Sequence, residues 1–308
     1  MRRKFQILPA GSLFVIVASI VYLSVMQICS DLRPDHWAII LAFNICFFAG
    51  KGSRKFILGF TVFAVFAIVY DAMRIFPNYQ FARVDIAGIY NLEKYLFAVR
   101  VEGTTLTPSE FFSIHHSIPA DLISGFFYLN WIPVPLAFAV YLFFTNKRLF
   151  LNFSLTFLFV NLLGFSIYYI HPAAPPWYVA KYGFDFHLNV PGNIAGFSRF
   201  DQLVHAKIFG FIYAKNSNVF AALPSLHCAY PMVVFFYGLK ARCKWMNIPF
   251  ATLVLGIWFA AVYSGHHYVI DVIMGIACAI IGIALYEYVL LKWPGYQRFL
   301  EKYIHLIS

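Results

Sequence analysis

Charge is scarce in this chain: Asp, Glu, Lys and Arg make up 12% of its 308 residues, about half the roughly 25% of an ordinary soluble domain. A fully solvated surface cannot be built from so few charges, so an ordinary soluble protein is excluded. Cysteine is thin too. Cys29, Cys46, Cys228, Cys243 and Cys278 are an odd number with no Cys-x-x-Cys pair, which excludes a disulfide framework and a cysteine-built zinc site. No internal repeat and no linker rich in Ser or Gly divides the sequence, so one integral domain is expected. What the chain has instead is apolar mass: 61% hydrophobic residues, with 36 Phe, 20 Tyr and 6 Trp. That excludes collagen-like, coiled-coil, low-complexity and disordered chains. The solvent it suits is lipid.

A spanning helix needs about 20 mostly apolar residues. By that measure eight spans are expected, near 6–28, 36–50, 56–74, 120–144, 149–170, 219–239, 247–264 and 267–291. Each is apolar on all sides, and no strand-like alternation competes, so the fold class is an all-α polytopic bundle. The start, Met1-Arg2-Arg3-Lys4, precedes an apolar run too long for a signal peptide and without a small-residue cleavage site, so it reads as an uncleaved first span.

The net charge of +10 does not point to nucleic acid, because the basic residues fall in short clusters between apolar runs rather than along one stripe. With the N-terminus placed in the cytoplasm, the majority of the 23 basic residues fall in five short inner segments: Arg2, Arg3 and Lys4; Lys51, Arg54 and Lys55; Lys147 and Arg148; Lys240, Arg242 and Lys244; Lys292, Arg298 and Lys302. This is the bias expected of cytoplasmic loops. Both termini are therefore expected inside. The rest of the basic residues sit mostly in two long outer segments, about 75–118 and 171–218. The first of these is expected to lie along the membrane interface, with amphipathic stretches such as Leu92 to Val99. Asn44 and Asn161 within spans fit a cavity or a helix-to-helix bond equally well. Asp71 and Arg74, three apart at one outer helix end, point toward a site.

Three polar patches interrupt the outer span ends: His171-Pro172-Ala173-Ala174-Pro175-Pro176-Trp177-Tyr178, Pro224-Ser225-Leu226-His227, and Gly265-His266-His267-Tyr268-Val269-Ile270-Asp271. The topology puts all three on one, non-cytoplasmic side. His267 and Asp271 are four apart at the start of the last span, so the carboxylate can hold the imidazole on one helix face, fix its tautomer and leave the other nitrogen as nucleophile or base. His266 has a supporting role at most. His227 follows a Pro-Ser pair suited to a helix start, where free backbone N–H groups, Ser225 included, attract phosphate oxygens. One braced histidine and one free to shuttle a proton suit phosphoryl transfer through a phosphohistidine, with no metal or other cofactor. His267 attacks phosphorus; His227 protonates the departing oxygen and then activates the acceptor.

These residues resemble the type-2 phosphatidic acid phosphatase superfamily over about residues 56–291, and within it the inositol phosphorylceramide synthase branch, the fungal aureobasidin target and its bacterial relatives. The superfamily motifs PSGH and SRxxxxxHxxxD are similar to Pro224-Ser225-Leu226-His227 and to His267 through Asp271. The resemblance implies the same roles for His267, Asp271 and His227, a six-helix phosphatase-like core at 56–291, N-terminal spanning helices at 1–55 and a short cytoplasmic tail at 292–308. It departs in two places. KxxxxxxRP is absent, since the sole Arg-Pro is Arg33-Pro34 with no Lys at the required offset, and Ala260-Ala261 replace Ser-Arg. Two usual phosphate-binding cations are missing, leaving Arg74, Lys181, Arg199, Lys207 and Lys215 as outer-side candidates, Arg74 and Arg199 favoured. Leu226 in place of Gly, HPAAPPWY and His-His-Tyr look like the synthase branch, and in that branch His171 is the next residue to test. The resemblance implies a phospholipid donor, a ceramide-like acceptor and the bilayer as partners, and leaves room for an accessory subunit. A lipid phosphate or pyrophosphate phosphatase using the same histidines is the alternative. A non-catalytic transporter or lipid-binding scaffold, with the polar patches lining a pathway, is a third reading.

Overall fold

Proline and short polar side chains mark where the helices begin. Pro34, Pro108, Pro133, Pro176 and Pro294 each occupy the first turn of a helix, the place where a missing N–H costs nothing. Asn146 caps another by accepting the N–H of Leu149 at 2.9 Å. The computed structural model describes residues 9, 11–29, 32–214 and 218–308. Arg2, Arg3, Lys4, Lys215 and the first residues of the expected first span lie outside them.

The described chain opens with three helices, α1 (Ser12–Cys29), α2 (Pro34–Ala49) and α3 (Lys51–Ala72). The segment after α3 holds α4 (Ala87–Phe97), the hairpin strands β1 (Val99–Val101) and β2 (Thr104–Leu106), and α5 (Pro108–Ile114). Then come α6 (Ile118–Leu129), α7 (Pro133–Thr145) and α8 (Lys147–Ile170). Three short helices, α9 (Pro176–Tyr182), α10 (Phe197–Leu203) and α11 (Ile208–Tyr213), occupy the next segment. The chain finishes with α12 (Leu226–Lys240), α13 (Asn247–Tyr263), α14 (Val269–Tyr288) and α15 (Pro294–Ile307).

Every expected span coincides with a helix or helix pair, with three differences. The fourth is broken into α6 and α7, bent by 41°, because Pro133 and Pro135 cannot donate to the preceding turn. Residues 219–225 of the sixth are not helical, and α12 has 15 residues. The second, α2, has 16. Five described helices are long and apolar enough to cross a membrane, or six with the bent pair counted as one. The β1–β2 hairpin, unforeseen in an all-α reading, turns at Glu102-Gly103, both at positive φ, as a tight hairpin turn requires. α15 is no loose tail: Tyr303 donates to the carbonyl of Leu58 at 2.8 Å, and Leu300 is fully buried.

The core is aromatic. Phe150, Phe153 and Phe157 on α8 pack with Tyr230, Val233 and Tyr237 on α12 and Ile283 on α14. α14 comes close enough for this because of Gly275 and Gly282. A Cβ on Gly275 would collide with the carbonyl oxygen of Ser225, and one on Gly282 would lie 2.6 Å from Val160 Cγ2. Small residues at such crossings let helices approach closely in lipid. Many large apolar side chains of α1, such as Leu13, Phe14 and Ile28, face outward, as lipid-facing residues do. The chain is an integral membrane protein.

Candidate active site

Four stretches of backbone that are remote in sequence meet at one end of the bundle. Ala173 forms bridges to Asp85 on one side and Ala221 on the other. Its N–H donates to Phe220 O at 3.1 Å, and its carbonyl accepts from Ala222 N at 3.4 Å. Trp177 N donates to Gly265 O at 3.1 Å, and Ser225 N to Asp271 O at 2.9 Å. The Pro-Ala-Ala-Pro-Pro patch thus serves as a scaffold. Its stiff, extended backbone ties the segment before α12 to the turn between α13 and α14.

That turn carries His267. The helix begins two residues later, at Val269, so His267 and Asp271 are not both helical, as the sequence reading had them. His267 N donates to Ala261 O at 3.0 Å. Its Nδ1 lies 3.1 Å from the carbonyl oxygen of Ala222 and 3.5 Å from Asp271 Oδ2. A carbonyl only accepts, so Nδ1 carries the hydrogen and Nε2 holds the lone pair. Asp271 is fully buried, and its Oδ2 accepts Tyr268 N at 2.8 Å. The carboxylate therefore fixes the turn as well as facing the ring. His266 belongs to the packing: its ring stacks on Tyr213 and Phe197, with centroids 4.4 and 5.1 Å away, and its Nε2 is 3.0 Å from Ile194 O.

His227, in the first turn of α12, is held differently. Tyr128 stacks on its ring at 5.0 Å, and Trp131 meets it edge-on at 4.5 Å. No described residue hydrogen-bonds its ring nitrogens, so it is free to give or take a proton. Trp131 reaches it from the break between α6 and α7. The His227 and His267 rings are 5.7 Å apart between centroids and line one cavity of about 320 Å³. Phe66, Trp131, Phe165, Tyr168, Trp177 and Tyr230 line it as well, and such walls exclude water.

Two supports come from the segment between α3 and α6, which the sequence reading placed along the interface. Fully buried Glu93, on α4, accepts the N–H groups of Val269 at 2.9 Å and Ile270 at 3.1 Å. It caps the helix that follows His267, where free N–H groups favour negative charge. Burial raises the Glu93 pKa, opposed by these two bonds. Ser109 Oγ lies 3.3 Å from His267 O.

The remaining candidates are placed elsewhere. Ser225 Oγ faces Cys228 Sγ at 3.3 Å and is buried. His171 is half exposed, 3.3 Å from Asp85 Oδ2. Arg199 Nε donates to Asp121 Oδ1 at 2.6 Å. With Lys181, Arg199 lines a second cavity of about 380 Å³, and Trp177 borders both cavities. Lys207 is exposed. Arg74 stands 4.0 Å from Asp71. Neither His171, Arg74, Arg199 nor Ser225 is among the residues lining the two-histidine cavity, whereas Asp71 is. Asn44 bonds Ser19 Oγ at 2.9 Å and Asn161 bonds Tyr230 at 2.6 Å, both as bridges between helices. Among the described residues no three His, Cys, Asp or Glu side chains gather as metal ligands.

The family model of the PAP2 superfamily matches residues 106–285, a stretch that contains both histidines and Asp271. The chain is 47% identical to a phosphoinositol dihydroceramide synthase of Bacteroides thetaiotaomicron, over 96% of this chain and 98% of that protein. It is 28% identical to an inositol phosphorylceramide synthase of Candida albicans, over 83% of this chain and 52% of that protein. With the catalytic subunit AUR1 of the Saccharomyces cerevisiae inositol phosphorylceramide synthase it shares 30% identity, over 42% of this chain and 32% of that one. It thus spans nearly all of the bacterial relative, and about half and a third of the two fungal ones. No solved structure matches it. On the strength of the family match and the full-length bacterial relative, the chain belongs to the PAP2 superfamily.

Proposed function

We propose that this protein is a membrane-embedded headgroup phosphotransferase that moves phosphoinositol from phosphatidylinositol to the hydroxyl of a ceramide-type lipid. The observation that carries the reading is the pair of imidazoles, 5.7 Å apart between centroids, in one aromatic-lined cavity. Only one of them is tethered through a ring nitrogen.

The chemistry follows from that asymmetry. His267 Nε2 attacks the phosphorus of the donor, the bond to the diacylglycerol oxygen breaks, and His227 supplies the proton that oxygen takes. Positive charge on the His267 ring is stabilised by the Ala222 carbonyl and the Asp271 carboxylate beside Nδ1. Diacylglycerol leaves. His227, now neutral, takes the proton of the acceptor hydroxyl as that oxygen attacks the phosphohistidine, and His267 is released. No metal or cofactor takes part, and the lipid partners approach from the bilayer.

The site end is assigned to the periplasmic or lumenal side with both termini in the cytoplasm. The clustering of Lys51, Arg54, Lys55, Lys147, Arg148, Lys240 and Lys244 at the ends of helices remote from the histidines supports this.

The test is lipid mass spectrometry on purified protein given labelled phosphatidylinositol and ceramide, with and without chelator. An inositol-bearing sphingolipid in both conditions is expected. Free inositol phosphate or phosphate alone would instead identify a hydrolase, and loss of turnover in chelator that added metal restores would contradict the metal-free step.

A further inference from the structure

The cavity that holds the two histidines also carries a charged cluster. Arg33, at the start of α2, pairs with Asp71 at the end of α3, and its Nε and Nη2 reach Asp35 at 3.3 Å. His36, almost fully buried, lies with Nε2 3.1 Å from Asp71 Oδ2 and 3.0 Å from Arg33 Nη2. Tyr22 of α1 closes edge-on over the His36 ring at 6.0 Å. Arg33, Asp35, His36 and Asp71 all line the cavity that holds His227 and His267. Arg33 is the single Lys or Arg side chain among its described lining residues.

An ionic tie is a poor way to join two apolar helices in a membrane, because the desolvation of two charges largely offsets their attraction. Nor is the cluster sealed, as a purely structural tie would be. The side chains of Arg33 and Asp71 keep 23% and 16% of their surface accessible, and Arg33 Nη1 has no partner among the described residues. The composition of the cluster selects the ligand. Two carboxylates disfavour a bare anion. A guanidinium disfavours an ammonium or choline group. A neutral ring of hydroxyls, each both donor and acceptor, satisfies acceptors on Asp35 and Asp71 and donors on Arg33 together.

We propose that the Arg33–Asp35–His36–Asp71 cluster is the subsite for the hydroxyl-bearing headgroup of the lipid donor, so that α2 and α3, outside the matched family region, choose which phospholipid is used. This rests on the phosphotransferase reading above. Phosphorus sits between the histidines while the cluster holds the hydroxyls of the same headgroup, which positions the phosphodiester for attack.

The experiment uses the full-length protein in detergent with phosphatidylinositol, phosphatidylglycerol or phosphatidylethanolamine as donor and a short-chain ceramide as acceptor. Asp71→Asn, His36→Gln and the milder Asp35→Asn should raise KM for phosphatidylinositol about tenfold or more while KM for ceramide stays within about twofold. They should also narrow the preference for phosphatidylinositol over phosphatidylglycerol. Wild-type protein supplies a measurement independent of variant folding: inositol 1-phosphate should compete with phosphatidylinositol more strongly than glycerol 3-phosphate does. Equal competition by the two, or folded variants with both KM values shifted alike, overturns the subsite. A wild-type protein that makes no inositol-bearing sphingolipid but still cleaves phosphatidylinositol overturns the transferase reading instead, and an unchanged donor preference in variants of that hydrolase overturns the subsite as well.

Discussion

His267 Nδ1 lies nearer to the backbone carbonyl of Ala222, at 3.1 Å, than to the carboxylate of Asp271, at 3.5 Å. The orientation of the proposed nucleophile is therefore shared between a main-chain group and a side chain. Ala222 is itself held by Ala173, whose carbonyl accepts its N–H at 3.4 Å, so the proline-rich patch acts on the histidine through two backbone steps.

The two anchors predict unequal losses. His267→Ala should abolish turnover, a fall of roughly 10³-fold or more. Asp271→Asn should retain more, because the Ala222 carbonyl still selects the tautomer while the charge that stabilises the imidazolium is gone. Turnover of labelled phosphatidylinositol by the two proteins, matched for thermal stability, measures the difference. An Asn variant as inactive as the Ala variant would assign the whole effect to the carboxylate.

Proton delivery by His227 can be separated from attack by His267. His227→Ala should slow transfer from phosphatidylinositol by about 10²- to 10⁴-fold. A donor analogue with a nitrophenol leaving group needs no proton, so its first step should keep a stoichiometric nitrophenol burst in His227→Ala and lose it in His267→Ala. Stopped-flow absorbance reads the burst, and its loss in both variants would count against the division of roles.

Glu93 should make stability depend on pH in a definite direction. Its folded pKa is raised above the ordinary 4.5, so its contribution is fullest below that value and is lost as pH climbs through the folded one. Glu93→Gln does not titrate. The melting temperature of wild type relative to Glu93→Gln should therefore fall as pH rises above the ordinary carboxylate value of 4.5. A relative melting temperature that climbs with pH would mean that the N–H groups of Val269 and Ile270 outweigh burial.

The crossing of α14 over the start of α12 leaves no room at Gly275. Gly275→Ala should cost about 1–3 kcal/mol and reduce activity, since the displaced carbonyl belongs to Ser225, two residues before His227. Gly52, which has open space around its Cβ position, should accept Ala with little change. Thermal unfolding in detergent compares them, and equal midpoints would show that the crossing yields.

Apolar run length located the helices, and the motifs around His227, His267 and Asp271 located the chemistry, because both signals are local in the chain. The break at Asn130 to Ile132 was hidden inside one long apolar window, where composition outvoted Pro133 and Pro135. Glu93 and Ser109 gave no local signal; each matters through a bond to residues more than 150 positions away. Arg33 was passed over because its Arg-Pro pair lacked the motif's Lys, while its position became visible only once α2 was packed against α3. Basic residues such as Arg199 stood out by charge alone, and charge does not say which of two neighbouring cavities a side chain enters.

The interruption between α6 and α7 also restricts how this crossing can evolve. Irregular backbone at membrane depth survives where it borders protein or a wet recess rather than acyl chains. Straightening it into a continuous helix would heal the hydrogen-bond ladder but re-aim Trp131 around the axis, away from the imidazole it now touches. A local defect in one rod is thus what lets an indole stand guard over a proton carrier.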